Sequence, residues 1–183
     1  MSYDGITQKP TPRFIYRTET DPAAVLQHLT AVRALADSAK EALGFLPEAA
    51  YRDAIAQKRL WAMLARANGT SQLAGFILFS GVFPNARIQA VAVSPDHRRS
   101  GVASALVGGL VSHLETRGYI AITAAVASDL ADAQAFYESR GFVARHVRDG
   151  GQTRQRKIVL RSRELDTANF FTLLAPPAVS GRG

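Results

Sequence analysis

At 183 residues, with 47% hydrophobic and 20% charged content, the chain has the composition expected of one globular domain with a packed core. It contains no cysteine, which excludes disulfide scaffolds, thiolate metal centres and cysteine nucleophiles together; no apolar run approaches the roughly 20 residues that span a bilayer. The net charge of +7 is concentrated in residues 97–163, where 11 Lys and Arg face 5 Asp and Glu. That excess fits a polyanionic ligand, a phosphate-rich cofactor or nucleic acid, and equally a solvated basic surface.

The segment from Met1 to Arg13 is polar, contains Pro10 and Pro12, and does not resemble a secretory signal. With the absence of cysteine it points to a cytoplasmic protein. A first strand is expected at Arg13–Glu19. Asp21 before Pro22 marks a helix start, because the carboxylate caps free amides and proline at the first helical position forfeits no needed donor. The helix is expected to run to about Leu43, with Leu26, Leu29, Val32 and Ala36 on one face. Gly44 stops it, and Pro47 opens a shorter helix through Tyr51 and Ile55.

Leu60–Arg66 and Leu73–Ser80 are apolar runs joined by Asn68-Gly69, a hairpin signal. A third strand is expected at Ile88–Val93 after the turn at Pro84-Asn85. The apolar spacing then becomes helical from Val102 through Leu106, Leu110 and Leu114, ending at Arg117-Gly118. Ile120–Val126 reads as a strand. Asp129 is placed to cap a helix over Leu130–Arg140, which Gly141 stops. Phe142–Arg148 and Thr153–Arg161 form a closing hairpin. The order is that of a mixed sheet with helices on it, an α+β or α/β fold, in a single domain over residues 1–165 with a tail over 166–183.

One segment carries the chemistry. Val91 and Val93 end a strand, the loop Arg98-Arg99-Ser100 is basic, and Gly101, Val102, Ala103 and Ser104 open an amphipathic helix. Free backbone amides and the positive end of the helix dipole suit a diphosphate at that point. Gly101 and Ala103 keep side-chain bulk away from it. The four histidines, His28, His97, His113 and His146, show no metal-ligand spacing, so no metal is expected.

The loop resembles the acetyl-coenzyme A loop of the GCN5-related N-acetyltransferases (GNAT), whose pattern Gln/Arg-x-x-Gly-x-Gly/Ala is filled by Arg98, Gly101 and Ala103. About 30 residues on, Ala133 to Phe142 resembles that family's Ala-x-x-x-Tyr-x-x-x-Gly-Phe segment. The resemblance covers about Leu60–Leu160. It implies a mostly antiparallel sheet splayed at the cofactor site and an acetyl-CoA co-substrate. It further implies pantetheine along Val91 and Val93, pyrophosphate on the amides of Arg98 to Ser104, and Tyr137 as the acid that protonates the departing thiolate. The acceptor amine would attack the thioester directly. Two positions depart from the family pattern: Leu130 stands where asparagine is common, and Gln89 where many members carry a glutamate base. Glu48, Tyr51 and Arg52 are candidates for the acceptor cleft. The resemblance leaves three functions open: acetylation of a small-molecule or protein amine, acetylation of charged tRNA as in the toxin branch, and a non-catalytic acyl-CoA sensor. A homodimer fits the family, and no membrane partner is expected.

Overall fold

The computed structural model describes residues 13–150, 156–168 and 170. After β1 (Ile15–Glu19), the expected long helix is three short ones: α1 (Pro22–Leu26), α2 (Leu29–Ser38) and α3 (Lys40–Leu43). Its start is as read, since Ala24 N donates to Asp21 Oδ1 at 3.0 Å. The breaks come where the backbone bonds tighten to i→i−3: Gln27 N to Ala24 O, His28 N to Val25 O, and Ala39 N to Ala36 O. The buried stripe Val25, Leu29, Val32, Ala36 continues across the first break, so packing on the sheet, not an unbroken ladder, sets the course of the chain. Gly44, at φ 86°, ends the run, and α4 (Glu48–Ala56) follows Pro47.

The strands β2 (Leu60–Ala67), β3 (Thr70–Val82), β4 (Asn85–Val93), β5 (Ala121–Ala127), β6 (Val143–Asp149) and β7 (Lys157–Glu164) join β1 in one sheet, ordered β1-β2-β3-β4-β5-β7-β6. Asn68 and Gly69 both have positive φ, the requirement of the two-residue turn that Asn-Gly favours. All described strand pairs are antiparallel except β4 with β5, which run parallel. Helices α5 (Val102–Glu115) and α6 (Ala131–Ser139) follow β4 and β5. The expected strand start at Thr153 lies outside the described residues.

Two cores lie on opposite faces of the sheet. One joins Leu106, Leu110 and Leu114 of α5 to Trp61, Ile77, Ile88 and Ile122. The other joins Val25, Leu29 and Val32 to Leu60, Phe76 and Leu78. Trp61, Phe76 and Phe79 are therefore core residues, whereas Phe83 is 60% exposed.

The central event is a bulge in β4. Leu78 pairs with Ala90 and Phe79 with Ile88, leaving Gln89 as an extra residue. An extra residue bends its strand and reverses the side-chain alternation: Ile88 packs with the α5 core, Ala90 and Ala92 with the other. Pairing of β4 with β5 stops at the same place, at Ile88 with Ala124. Beyond it both strands continue, to Val93 and Ala127, unpaired with each other. The splay implied by the family resemblance is present, and Gln89 is its hinge.

The closing hairpin places β7 between β5 and β6. The arginines of β7 are consequently turned to the protein rather than forming a solvated basic edge. Arg161 is 5% exposed and donates to Gln134 Oε1 at 2.6 Å, Phe142 O at 3.2 Å and Glu138 Oε1 at 3.0 Å. Arg163 donates to Arg140 O. Two of these arginines thus pin α6 to the sheet; Arg154 lies outside the described residues.

Candidate functional site

The gap between β4 and β5 opens into a cleft of about 520 Å³. Gln89, Val91, Ala125, Leu130 and Tyr137 line it, as do Leu43 of α3 and Asp149 of β6. On the splayed side, the backbone of β4 beyond Ile88 has no strand partner among the described residues. Unpaired strand backbone is a ready hydrogen-bonding edge for an extended ligand.

Tyr137 comes to this cleft from α6, held edge-on between Phe136 at 5.3 Å and Phe142 at 5.1 Å. It is 8% exposed. Burial raises its pKa above the ordinary phenol value, because the dry surroundings disfavour the phenolate. The phenol therefore keeps its proton throughout the neutral range. Gln134, one turn earlier, donates to the carbonyls of Val126 and Ala127 at 3.2 and 3.0 Å, tying α6 to β5 past the point where β4 departs. The expected helix cap at Asp129 is not made: Leu130 is the N-cap residue and offers no side-chain bond. Asp129 instead accepts from Arg156 Nε on both carboxylate oxygens at 2.9 Å, and hydrogen bonding to Arg156 lowers its pKa.

The basic loop lies at the end of β4. Ser94 N bonds Ala74 O, and a single 3₁₀ turn over Pro95–His97 leads into it. His97 is 1% exposed. Its Nδ1 pairs with Tyr16 Oη at 3.2 Å and its Nε2 with Gln72 Nε2 at 2.9 Å, and Phe14 packs edge-on at 4.7 Å. The loop is thus anchored from β1 and β3. Ser100 Oγ donates to His97 O, which closes the turn. Arg99 at φ 59° and Gly101 at φ 84° are both left-handed. A Cβ on Gly101 would meet nothing within 4 Å, so glycine serves the backbone conformation there and leaves the approach open. It caps α5 without a side-chain bond, leaving the first-turn amides of Val102, Ala103 and Ser104 uncapped.

Of the residues singled out from the sequence, Gln89, Val91, Leu130 and Tyr137 share the cleft. Val93 is half-buried against the α5 core. Arg98, Arg99, Ser100, Gly101, Val102, Ala103 and Ser104 form the adjoining loop and helix start. A link that sequence reasoning missed joins the two parts: Arg140, one turn after Tyr137, donates to Ser104 Oγ and stacks over Phe136 at 5.8 Å. Its Nε is buried without a partner. Nothing in the spacing marks it, since contact between α5 and α6 is set by the sheet order. Gln89 donates to Ser80 Oγ at 2.7 Å and has no basic function to offer. Glu48 is held between Arg33 and Arg52, away from the cleft lining. Tyr51 is buried, with a raised pKa from desolvation and, second, Asp37. None of Glu48, Tyr51 and Arg52 is among the residues that line the cleft. No group of three or more His, Cys, Asp or Glu side chains among the described residues is placed to hold a metal ion.

The sequence matches the acetyltransferase (GNAT) family over residues 29–142, more than half of its length, and the chain belongs to that family, whose members are acetyl-CoA-dependent N-acetyltransferases. It is 37% identical over 71 residues to the [ribosomal protein bS18]-alanine N-acetyltransferases of Salmonella typhimurium strain LT2 and Escherichia coli strain K12, over 39% of this chain and 48% of each relative. The chain spans about half the length of the curated relatives it matches. Among solved structures it is similar to the Escherichia coli ribosomal-protein-S18-alanine N-acetyltransferase (TM-score 0.66, 22% identity, 84% of this chain and 96% of that one). It is also similar to Ard1 of Thermoplasma volcanium (TM-score 0.68, 21% identity, 83% and 97%). At these identities the structural likeness establishes the fold.

Proposed function

We propose that this member of the GNAT family transfers an acetyl group from acetyl-CoA to a primary amine by direct attack, without an acyl-enzyme. The observation that carries the reading is the cleft that the Gln89 bulge opens between β4 and β5, with Tyr137 on its wall and the uncapped start of α5 beside it. In this account the pantetheine arm extends the sheet along Val91 and Val93. The pyrophosphate takes the amides of Arg98, Arg99, Ser100, Gly101, Val102, Ala103 and Ser104, with the loop arginines adding charge. The thioester then lies between the splayed strands, reached by the amine from the side of α3 and β6.

The amine must arrive neutral. Its lone pair adds to the thioester carbon, the C–S bond breaks, and the sulfur leaves as a thiolate. Tyr137 donates its phenolic proton to that sulfur, and the surplus proton of the new amide returns through solvent. A phenol that burial keeps protonated suits this step better than it suits proton removal. The alanine-terminated ribosomal protein named for the curated relatives makes a protein N-terminal amine the first acceptor class to test; small-molecule amines are the second. The basic excess of residues 97–163 gives less support to charged tRNA, because Arg156, Arg161 and Arg163 are engaged within the protein.

The test is steady-state thiol release from acetyl-CoA against a panel of peptide N-termini and small amines. Acceptor-dependent release, with the product heavier by one acetyl group, is the expected result. Tight coenzyme A binding with no release on any amine would establish the acyl-CoA sensor instead.

A further inference from the structure

The cleft lining is unequally charged. Arg87, Arg148, Arg156 and Asp149 are its charged members. Arg156 is neutralised, with Asp129 on its Nε and Nη2 and Glu41 O on its Nη1. Arg87 and Arg148 are exposed, and among the described residues neither side chain has a hydrogen-bond or ion-pair partner. The sequence that joins β6 to β7, residues 151–155, reads Gly-Gln-Thr-Arg-Gln and carries no acid. Two unpaired guanidiniums therefore face one carboxylate at the place where the acceptor enters.

Such a lining is poor for a plain cationic amine, which two positive charges repel. It is good for an amine that brings its own anion. Guanidinium is a planar fork of donors matched to carboxylate and phosphate oxygens. Arg87 projects from the central strand just before the bulge, and Arg148 from the edge strand next to Asp149, so the two flank the cleft. Resting on the transferase reading above, we infer that the acceptor carries an anionic group, a carboxylate or a phosphate, near the amine that is acetylated, and that Arg87 and Arg148 receive it. Asp149 then stands as the one lining carboxylate available to the amine end of such a zwitterion.

The test uses matched pairs that share an amine and differ only in the anion: alanine and alaninamide, alanyl-glutamate amide and alanyl-glutamine amide, phosphoethanolamine and ethanolamine. Thiol release gives kcat/KM for each, and coenzyme A binding is measured by calorimetry. The anionic member of at least one pair is expected to be preferred by about tenfold or more, and the pair that responds tells carboxylate from phosphate. In the first pair the amide has the less basic amine and so more neutral amine at pH 7.5, which makes a preference for the acid the harder result to obtain. In the double variant Arg87→Gln/Arg148→Gln that preference should vanish by loss on the anionic members, while turnover of the members that lack the anion is retained or rises, since the repulsion leaves with the guanidiniums. The double lysine variant should keep part of it. Equal turnover of both members by the wild type, or equal loss on both members in the variant, overturns the inference and leaves the transferase reading standing. If no pair is turned over and coenzyme A still binds, the inference falls with the amine chemistry; if coenzyme A does not bind either, the cofactor site itself is wrong.

Discussion

Tyr137 shows how environment sets the protonation of one side chain. Its burial disfavours the phenolate, so at neutral pH it has a proton to give and no capacity to take one. Tyr137→Phe keeps the ring that packs on Phe136 and Phe142 and removes only the hydroxyl. The turnover number should fall about 10²-fold, roughly 2.7 kcal/mol of barrier, while the KM for acetyl-CoA stays within a few-fold. Unchanged turnover in a variant with an unchanged melting temperature would make Tyr137 structural. His113 tests the electrostatics away from the site. Burial, and then Arg117, lower its pKa below the ordinary histidine value, and it packs edge-on against Trp61 at 4.8 Å. Because the folded form is the harder to protonate, the unfolded chain binds more protons as pH falls below about 6.5, and stability is lost in that direction. The drop in melting temperature from pH 7.5 to 5.5 should be smaller in His113→Gln than in the wild type; an identical drop would remove His113 from the acid response. Single residues were unevenly legible. Gly101 and Tyr137 announce themselves by spacing, whereas His97 and Arg140 take their positions from strands and helices distant in sequence.

At the scale of elements, the sheet works because β4 changes sides halfway. The bulge at Gln89 breaks its pairing with β5, and Gln134 and Arg161 hold α6 where the break leaves room. Arg161→Met should cost about 2–3 kcal/mol of stability, since three hydrogen bonds are lost at net values of about 0.5–1.5 kcal/mol each and Phe142 O loses a buried donor. Denaturant unfolding measures this, and a loss under about 0.5 kcal/mol would show that α6 is held by apolar packing alone. Gly75 offers a second probe. A Cβ there would lie 2.6 Å from Ala92 O, so Gly75→Ala must push β3 and β4 apart beside Val91 and Val93. Coenzyme A affinity is expected to weaken by about tenfold, read by calorimetry; unchanged affinity would mean that the β4 edge does not hold the cofactor. Strands, turns and both major helices were readable from period and punctuation. Three features were not. The helix breaks at residues 27 and 39 have no Gly or Pro to mark them. The bulge at Gln89 has no Gly or Pro to mark it either. The insertion of β7 between β5 and β6 is a choice of partner that no local pattern encodes, and it is why the β7 arginines are internal.

No described helix is long and apolar enough to cross a membrane. We propose that residues 1–165 form one folding unit with a tail from 166 onward. The core packing of Leu165 and its bond to Ile120 O support a boundary close behind it, although Phe170 also lies against Gly118. Truncation after Phe170 is expected to leave the melting temperature within about 2 °C; a large drop would place more of the tail in the fold. The central claim concerns the loop at the start of α5, and calorimetry of acetyl-CoA against the wild type and Gly101→Glu tests it most directly. The substitution sets a carboxylate where the pyrophosphate is proposed to dock, in space that the protein itself leaves open. The wild type should bind with a dissociation constant on the order of 1 μM, about −8 kcal/mol, and the variant at least about 100-fold more weakly with its fold retained. Equal affinity in a folded variant would contradict the account, because the cofactor would then be bound somewhere other than Arg98 to Ser104.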